Sequence, residues 1–169
     1  MSVINKATIH GVTVTLEWIK DDHLEKYQPK RQVYGICFDH KGQILIIKGP
    51  DSDRWIIPGG TPEAGETTEA TLTRELIEEA DVKIKNCRPL GVQRVIHPNN
   101  PNKIDGDIFY QYRYLCEVDE ILDQTPDPAT GLMMTRKFVP ALTINDWVNW
   151  GKTGRAMFED AINLYKATR

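Results

Sequence analysis

The 169 residues include 21 basic and 24 acidic side chains, giving a net charge of −3, so the composition excludes the broad basic surface that long nucleic acids require. Hydrophobic residues make up 40% and charged residues 27%, a balance typical of a globular domain. We expect no membrane span and no secretory signal, because no apolar run is long enough. Cys37, Cys87 and Cys116 form no CxxC pair, so we expect reduced thiols and a cytoplasmic protein.

The first part of the chain predicts β-structure. Residues 7–19 are rich in β-branched side chains and predict a strand or a hairpin, which a charged connector at 20–30 follows. Residues 32–38 and 43–48 predict two strands around the turn DHKG. The stretch RWII predicts a short strand that ends at Pro58.

One internal helix is predicted after the loop GGTPEAGE. Thr67 can cap its N-terminus, and the helix continues to about Ala80. Leu72, Leu76 and Ala80 form an apolar row that can pack on a sheet. The residue that follows is Asp81, where we expect a left-handed backbone that favours glycine. An Asp81→Gly change is therefore expected to stabilise the fold by about 0.5–1.5 kcal/mol, with kcat within about threefold.

The remaining residues predict more strands and a helical end. Strands are expected at 82–84, 90–96 and 107–118, with the loop HPNNPNKIDG between the last two, and another near RKFVPA. Ile144, Trp147 and Val148 begin a helical period that residues 158–165 continue. The pattern predicts an α/β sandwich, in which one internal helix and one or two C-terminal helices pack on a mixed sheet.

Three carboxylates lie on one face of the predicted internal helix. Glu75, Glu78 and Glu79 fall within about 100° of arc and about 6 Å of axis. Like charges at these spacings destabilise a helix by about 0.2–0.5 kcal/mol per pair, and a solvated acidic face is the alternative interpretation. The glycine-rich loop and the neighbouring Arg74 favour a site instead. Carboxylate oxygens are ligands that suit Mg²⁺ or Mn²⁺, which also bind phosphate substrates.

Gly60, Glu66 and the segment RELIEEADV at 74–82 stand at spacings that resemble the Nudix box of the Nudix (MutT-like) hydrolases. All polar positions of the box match, and only its late glycine is replaced, by Asp81. The resemblance extends over residues 33–141 and implies a Nudix-type α/β/α sandwich with a mixed sheet. Residues 1–169 would form a single domain, with an N-terminal strand extension at 1–30 and C-terminal helices at 142–169.

The resemblance also implies a chemistry. It implies Mg²⁺-dependent cleavage of a nucleoside diphosphate linked to another group, such as a nucleoside triphosphate, a dinucleoside polyphosphate or an ADP-ribose-like substrate. The implied metal ligands are Glu75, Glu78, Glu79 and the backbone oxygen of Gly59. Arg74 and Glu66 would hold the loop–helix geometry. A non-catalytic Nudix-like nucleotide-binding module is the alternative.

The general base differs among members of the family. We place it on the helix, at Glu75 or Glu78, with Arg74 beside them as the third residue of the catalytic set. Asp127, together with Glu117 and Glu120, is interpreted as solvated surface.

The sequence identifies substrate-contacting residues less specifically than it identifies the metal ligands. Lys48 and Arg54 could contact phosphates or be solvated cations. Trp55, Tyr110 and Tyr112 could stack a base, although aromatic residues at strand spacing are usually core. The loop HPNNPNKIDG is expected to select the substrate, a small nucleotide, and the N-terminal segment is expected to form a homodimer.

Overall fold

A mixed sheet organises this computed structural model, which describes residues 2–101 and 106–169. The strands are β1 Ser2–Ile9, β2 Val12–Lys20, β3 Lys30–Phe38, β4 Gln43–Lys48, β5 Gly59–Gly60, β6 Val82–Ile96, β7 Ile108–Ile121 and β8 Thr135–Pro140. Their order is β1-β2-β6-β7-β3-β4-β8, and β5 pairs with β3. The β3–β7 pairing is parallel, whereas the neighbouring β6–β7 and β3–β4 pairings are antiparallel. The predicted mixed sheet is confirmed.

The N-terminal segment forms a hairpin that starts earlier than predicted. Strands β1 and β2 pair from Ser2↔Ile19 to Ile9↔Val12. His10 and Gly11 both have positive φ, at 47° and 80°, which is the backbone of a tight two-residue hairpin turn. Strand β1 lies at the edge of the sheet. The homodimer expected through this segment stays a prediction.

Two strand predictions are corrected. The segments at 82–84 and 90–96 belong to one long strand, β6, which changes register at bulges rather than stopping. Asn86, with φ 50°, and Pro89 lie at these irregularities, so residues typical of turns here bend a strand. The stretch RWII does not form a strand, because only Ile56 pairs, in an isolated bridge to Ile47.

Helix α1 spans Thr68–Ala80, as predicted. The Thr67 hydroxyl accepts a hydrogen bond from the Ala70 N–H at 3.1 Å and so caps the N-terminus. Leu72, Leu76 and Ala80 are fully buried against one face of the sheet. One apolar row therefore attaches the helix, while the adjacent face with its three glutamates is left for other contacts.

The C-terminal helices cover the other face of the sheet. Helix α2 is a single turn, Ile144–Trp147, and α3 spans Gly151–Ala167. Met157 and Phe158 of α3 pack with Ile36 and Phe38 of β3, whereas Val33, on the opposite side of that strand, packs with α1. Because neighbouring strand residues point to opposite faces, the architecture is an α/β/α sandwich, as predicted. None of the described helices has the length and apolarity needed to cross a bilayer.

Asp81 ends α1 in the left-handed conformation expected from the sequence, with φ 50° and ψ 48°. The expected gain in stability from Asp81→Gly, however, disagrees with its contacts. The side chain is 95% buried, and its carboxylate accepts hydrogen bonds from the Thr125 N–H at 2.9 Å and the Thr125 hydroxyl at 2.7 Å. Arg136 Nη1 also donates to the carbonyls of Ala80 and Asp81, which satisfies the C-terminal end of the helix.

Candidate active site

Arg74 is the centre of the carboxylate cluster on α1. Its Nε and Nη2 donate to the two oxygens of Glu66 at 2.6 and 3.1 Å, and Nη2 also donates to the Thr61 carbonyl at 3.1 Å. Its Nη1 donates to Glu75 at 2.8 Å and to Glu78 at 3.0 Å. A guanidinium has five N–H donors, so these five contacts use all of them. Arg74 joins the loop to the helix and brings two predicted metal ligands to one nitrogen.

Glu79 binds the loop directly. Its Oε2 accepts a hydrogen bond from the Gly59 N–H at 3.0 Å. Gly59 has φ 155°, and a Cβ there would clash with the backbone of Val33 and Tyr34. A Cβ on Gly60 would clash with the carboxylate of Glu75. The two glycines therefore let the loop backbone approach the carboxylates closely.

The pKa values of the carboxylates in this cluster are shifted in opposite directions. Burial, together with the charges of Glu75, Asp127 and Glu78, raises the pKa of Glu79 to about 7, against the hydrogen bond from Gly59. Burial also raises the pKa of Glu75. In contrast, the hydrogen bonds from Arg74 and from the Glu63 N–H lower the pKa of Glu66 to about 2. Glu66 is thus a permanent counter-ion for Arg74, whereas Glu79 is a partly protonated carboxyl at neutral pH.

This donor set fits a divalent cation with a preference for oxygen ligands. Glu75, Glu78 and Glu79 share one helix face, their side chains are only partly exposed, and the backbone of Gly59 lies beside Glu79. A cation bound here would favour the charged form of Glu79, whose pKa is raised mainly by burial. Carboxylate and carbonyl oxygens match Mg²⁺ or Mn²⁺.

A second acidic group lies elsewhere in the described part of the chain. Asp21, Asp22 and His23 bring their ligand atoms within 4.8 Å of one another. Asp21 already accepts hydrogen bonds from Tyr27 Oη at 2.8 Å and pairs with Lys26 Nζ at 2.6 Å. These contacts make the group a local ion-pair network at the surface.

A cavity of about 480 Å³ opens on the α3 side of the sheet. Strand β1, strands β6 and β7 and the start of α3 surround it, and we call it the α3-side pocket. Arg54 and His97 line it, as do the aromatic rings of Tyr34 and Trp150. Of the two predicted phosphate contacts, Arg54 thus faces a cavity, whereas the Lys48 ammonium lies 5.0 Å from the centre of the Trp55 ring.

The aromatic residues are distributed differently from the base-stacking prediction. Tyr112 is 3% exposed and its hydroxyl donates to the Tyr27 carbonyl at 2.8 Å, so it belongs to the core. Tyr110 packs against the Tyr27 ring, with centroids 5.4 Å apart. Trp55 packs edge-on to Trp147. The rings in the α3-side pocket are those of Tyr34, Phe109 and Trp150, which come from distant parts of the chain and have no shared sequence signal.

Asp127 is the acidic residue whose interpretation changes most. It is half-buried rather than solvated, and its Oδ1 accepts hydrogen bonds from the N–H groups of Ala129 and Thr130 at 2.7 and 3.1 Å. Its charge also contributes to the raised pKa values of Glu75 and Glu79, after burial as the main cause. Glu120 is exposed and pairs with Lys83, as expected of surface.

The loop HPNNPNKIDG is described only in part, since residues 102–105 lie outside the described residues. His97 lines the α3-side pocket, and its N–H donates to the Asp107 carbonyl at 2.7 Å. Asn100 is buried, and its side-chain amide donates to the Gly106 carbonyl at 2.7 Å. The role of this loop in substrate selection stays a prediction.

Comparisons with known proteins agree with this geometry. The NUDIX domain model matches residues 28–149. Diphosphoinositol polyphosphate phosphohydrolase 3-alpha of Mus musculus is 35% identical over 114 residues, which cover 64% of this chain and 65% of that protein. The 3-beta protein of Homo sapiens is 32% identical over the same shares. The chain thus spans slightly less than two thirds of the length of these curated relatives.

Solved structures share the fold at low sequence identity. The Bacillus subtilis pyrophosphohydrolase BsRppH superposes with a TM-score of 0.68 at 16% identity, covering 96% of this chain and 97% of that one. MutT of Bacillus halodurans superposes with a TM-score of 0.54 at 20% identity, covering 78% and 81%. The domain model covers most of the chain, including the box residues on α1. The chain therefore belongs to the Nudix hydrolase family.

Proposed function

We propose that this chain is a Mg²⁺- or Mn²⁺-dependent pyrophosphohydrolase that cleaves a nucleoside diphosphate linked to another group. The observation that carries the proposal is the intact cluster of Glu75, Glu78 and Glu79, held against the loop by Arg74 and Gly59. A module that only binds nucleotides does not need three partly buried carboxylates on one face, whose mutual repulsion opposes folding.

The residues have separate roles in the proposed reaction. When bound, a divalent ion neutralises the charge of the pyrophosphate and orients it. Glu75, Glu78, Glu79 and the Gly59 carbonyl would hold that ion. Arg74 is a positioning residue, because its five donors are already occupied by protein oxygens.

The proton of the attacking water requires a base. We assign it to the helix, at Glu75 or Glu78, whose carboxylates share Nη1 of Arg74. The water oxygen bonds to one phosphorus as the bridging P–O bond breaks, and the bridging oxygen keeps the electron pair. The products are two fragments that each end in a phosphate.

Candidate substrates share a pyrophosphate bond. They are nucleoside triphosphates, dinucleoside polyphosphates and ADP-ribose-like compounds, and the names of the curated relatives add diphosphoinositol polyphosphates. The test is phosphate and nucleotide release from this panel with Mg²⁺, Mn²⁺ or EDTA. Metal-dependent turnover of one class supports the proposal. Binding without turnover by any of them would favour the non-catalytic module.

A further inference from the structure

Arg113 of β7 is buried without a counter-ion. The residue is 2% exposed, Nη2 donates to Gln111 Oε1 at 2.9 Å, Nη1 makes a long contact of 3.4 Å to the Tyr112 carbonyl, and Nε has no partner. Within residues 2–101 and 106–169 it has no carboxylate partner at ion-pair distance. Arg88 and Arg94 also bury one unpaired nitrogen each, but both are half-buried.

An unpaired guanidinium at this depth is energetically unfavourable. Burial lowers the pKa of Arg113 to about 10, which still leaves it charged at neutral pH. Arg74, by contrast, has a protein acceptor for each of its five donors. Buried charges in folded proteins are generally paired or bind an ion or ligand. Arg113 therefore has unused donors for an anion from outside the chain.

Aromatic rings cover the guanidinium of Arg113. Its Cζ lies 4.4 Å from the centre of the Tyr34 ring and 5.8 Å from that of Trp150. Such contacts stabilise a cation without using its N–H groups. The edge of the guanidinium is thus left for hydrogen bonds in its plane, the geometry with which arginine binds phosphate oxygens.

Arg113 lines the α3-side pocket, whose composition suits an anion. Two further cationic or titratable side chains, Arg54 and His97, line the same cavity, and none of its described lining residues is acidic. This is notable in a chain whose net charge is −3. The remaining polar lining side chains include four amides, which can donate hydrogen bonds to oxygen, namely Asn5, Gln93, Gln111 and Asn149.

The pocket adjoins the carboxylate cluster through Tyr34. Tyr34 lines the pocket and pairs in the sheet with Gly59, whose N–H binds Glu79. Burial raises the pKa of Tyr34, which the charge of Arg113 lowers and that of Glu79 raises further. Tyr34 is thus the link between the pocket wall and the loop that holds Glu79.

We propose that Arg113 is a specificity-determining residue that binds a phosphate of the substrate beyond the two phosphates of the scissile pyrophosphate. The inference rests on the proposed function and narrows it. Substrates with additional phosphates are preferred over ADP-ribose-like compounds, which have only two. Phosphate is the favoured anion because several cations and amides line one cavity.

A matched pair of substrates tests this preference. Diadenosine tetraphosphate and diadenosine diphosphate differ only in the number of phosphates. Arg113→Met removes the charge and keeps most of the side-chain volume. Relative to the wild type, Arg113→Met is expected to lose kcat/KM on both substrates to different extents. The fold-decrease on the tetraphosphate should exceed that on the diphosphate by about tenfold or more, because charge-assisted hydrogen bonds to phosphate are lost. Equal losses on both substrates would overturn the proposal.

A binding measurement separates this site from catalysis. The probe is inorganic tripolyphosphate in EDTA, where no metal assists binding. It is expected to raise the Tm of the wild type. The control variant Arg94→Met should show the same rise, because Arg94 pairs with Glu17. Arg113→Met is expected to lose this shift, and its own Tm without ligand is expected to be no lower than that of the wild type, because an unpaired buried charge is gone. If Arg113→Met does not fold, Arg113→Lys replaces it in this measurement. The rise in Tm with tripolyphosphate should then be smaller than in the wild type, because lysine lacks the planar guanidinium.

The outcomes distinguish the two proposals. If tripolyphosphate binding depends on Arg113 but no pyrophosphate is hydrolysed, the proposed function fails and the phosphate site stands. If hydrolysis occurs but the tripolyphosphate shift is the same in wild type and Arg113→Met, the phosphate site is wrong. A change in kcat/KM that follows the nucleobase instead of the phosphate number would overturn it as well.

Discussion

Arg74 and Glu66 form a two-pronged ion pair, with Nε 2.6 Å from Oε1 and Nη2 3.1 Å from Oε2. The other oxygens bound by Arg74 belong to Thr61, Glu75 and Glu78. A residue of the loop is thereby tied to two carboxylates of the helix by one rigid guanidinium. The geometry of the cluster depends on this pair, and Glu66→Gln should disturb it without removing a predicted metal ligand.

The effect of Glu66→Gln should depend on pH. The pKa of Glu66 is about 2 in the folded protein against 4.5 ordinarily, so its stabilising contribution is complete above about pH 4.5 and is lost as the pH falls through about 2. Thermal melts should show a lower Tm for Glu66→Gln at pH 6–8, with the gap to wild type closing in acid. Glu69→Gln, on the exposed side of α1, is the matched control. A gap that does not change with pH would contradict the ion-pair account.

Metal binding should release a proton from Glu79. Its pKa of about 7 in the metal-free protein means that a cation competes with a proton for the carboxylate. Without metal, this raised pKa makes the contribution of Glu79 to stability fall as the pH rises from about 4.5 through 7. Titration with Mn²⁺ should give an affinity about tenfold weaker at pH 6 than at pH 8. An affinity that is constant over this range would argue against Glu79 as a ligand.

Asp81 should stabilise the fold, contrary to the expectation from its sequence position. Asp81→Gly relieves the left-handed backbone but loses the acceptor for both Thr125 donors, so the free energy of unfolding should fall by about 1 kcal/mol or more. Asp81→Asn, which tolerates the same backbone and keeps an acceptor, should lie between glycine and wild type. Denaturant unfolding measures all three. A glycine variant more stable than wild type would show that backbone strain outweighs the hydrogen bonds.

The general base can be located by comparing two isosteric changes. Glu75→Gln should lower kcat by at least about a hundredfold, because a proton acceptor and ligand are lost. Asp127→Asn should stay within about fivefold, since the amide oxygen can keep the turn contacts to Ala129 and Thr130. The pH dependence of kcat for both variants is the measurement. A larger loss in Asp127→Asn than in Glu75→Gln would move the base to the loop.

Local sequence predicted the parts of the site that one helix presents. The spacing of Glu75, Glu78 and Glu79 places three carboxylates together wherever a helix forms, and Thr67 indicates where it begins. The Asp81–Thr125 contact joins residues 44 positions apart and depends on how the chain returns after β7, which local periodicity cannot predict. Arg113 and Tyr34 meet through the parallel β3–β7 pairing, so the pocket they line also had no local signal.

Glu79→Gln tests the central claim most directly. Glutamine keeps an oxygen that can accept a hydrogen bond from the Gly59 N–H. Above pH 7 the metal-free Tm of the variant should be at least that of the wild type, because the substitution removes a buried negative charge. Its kcat for the best substrate, measured with saturating Mg²⁺, should fall by at least about a hundredfold, while Glu69→Gln keeps wild-type turnover. Near-normal kcat in a folded Glu79→Gln protein would contradict the assignment of this cluster as the catalytic site.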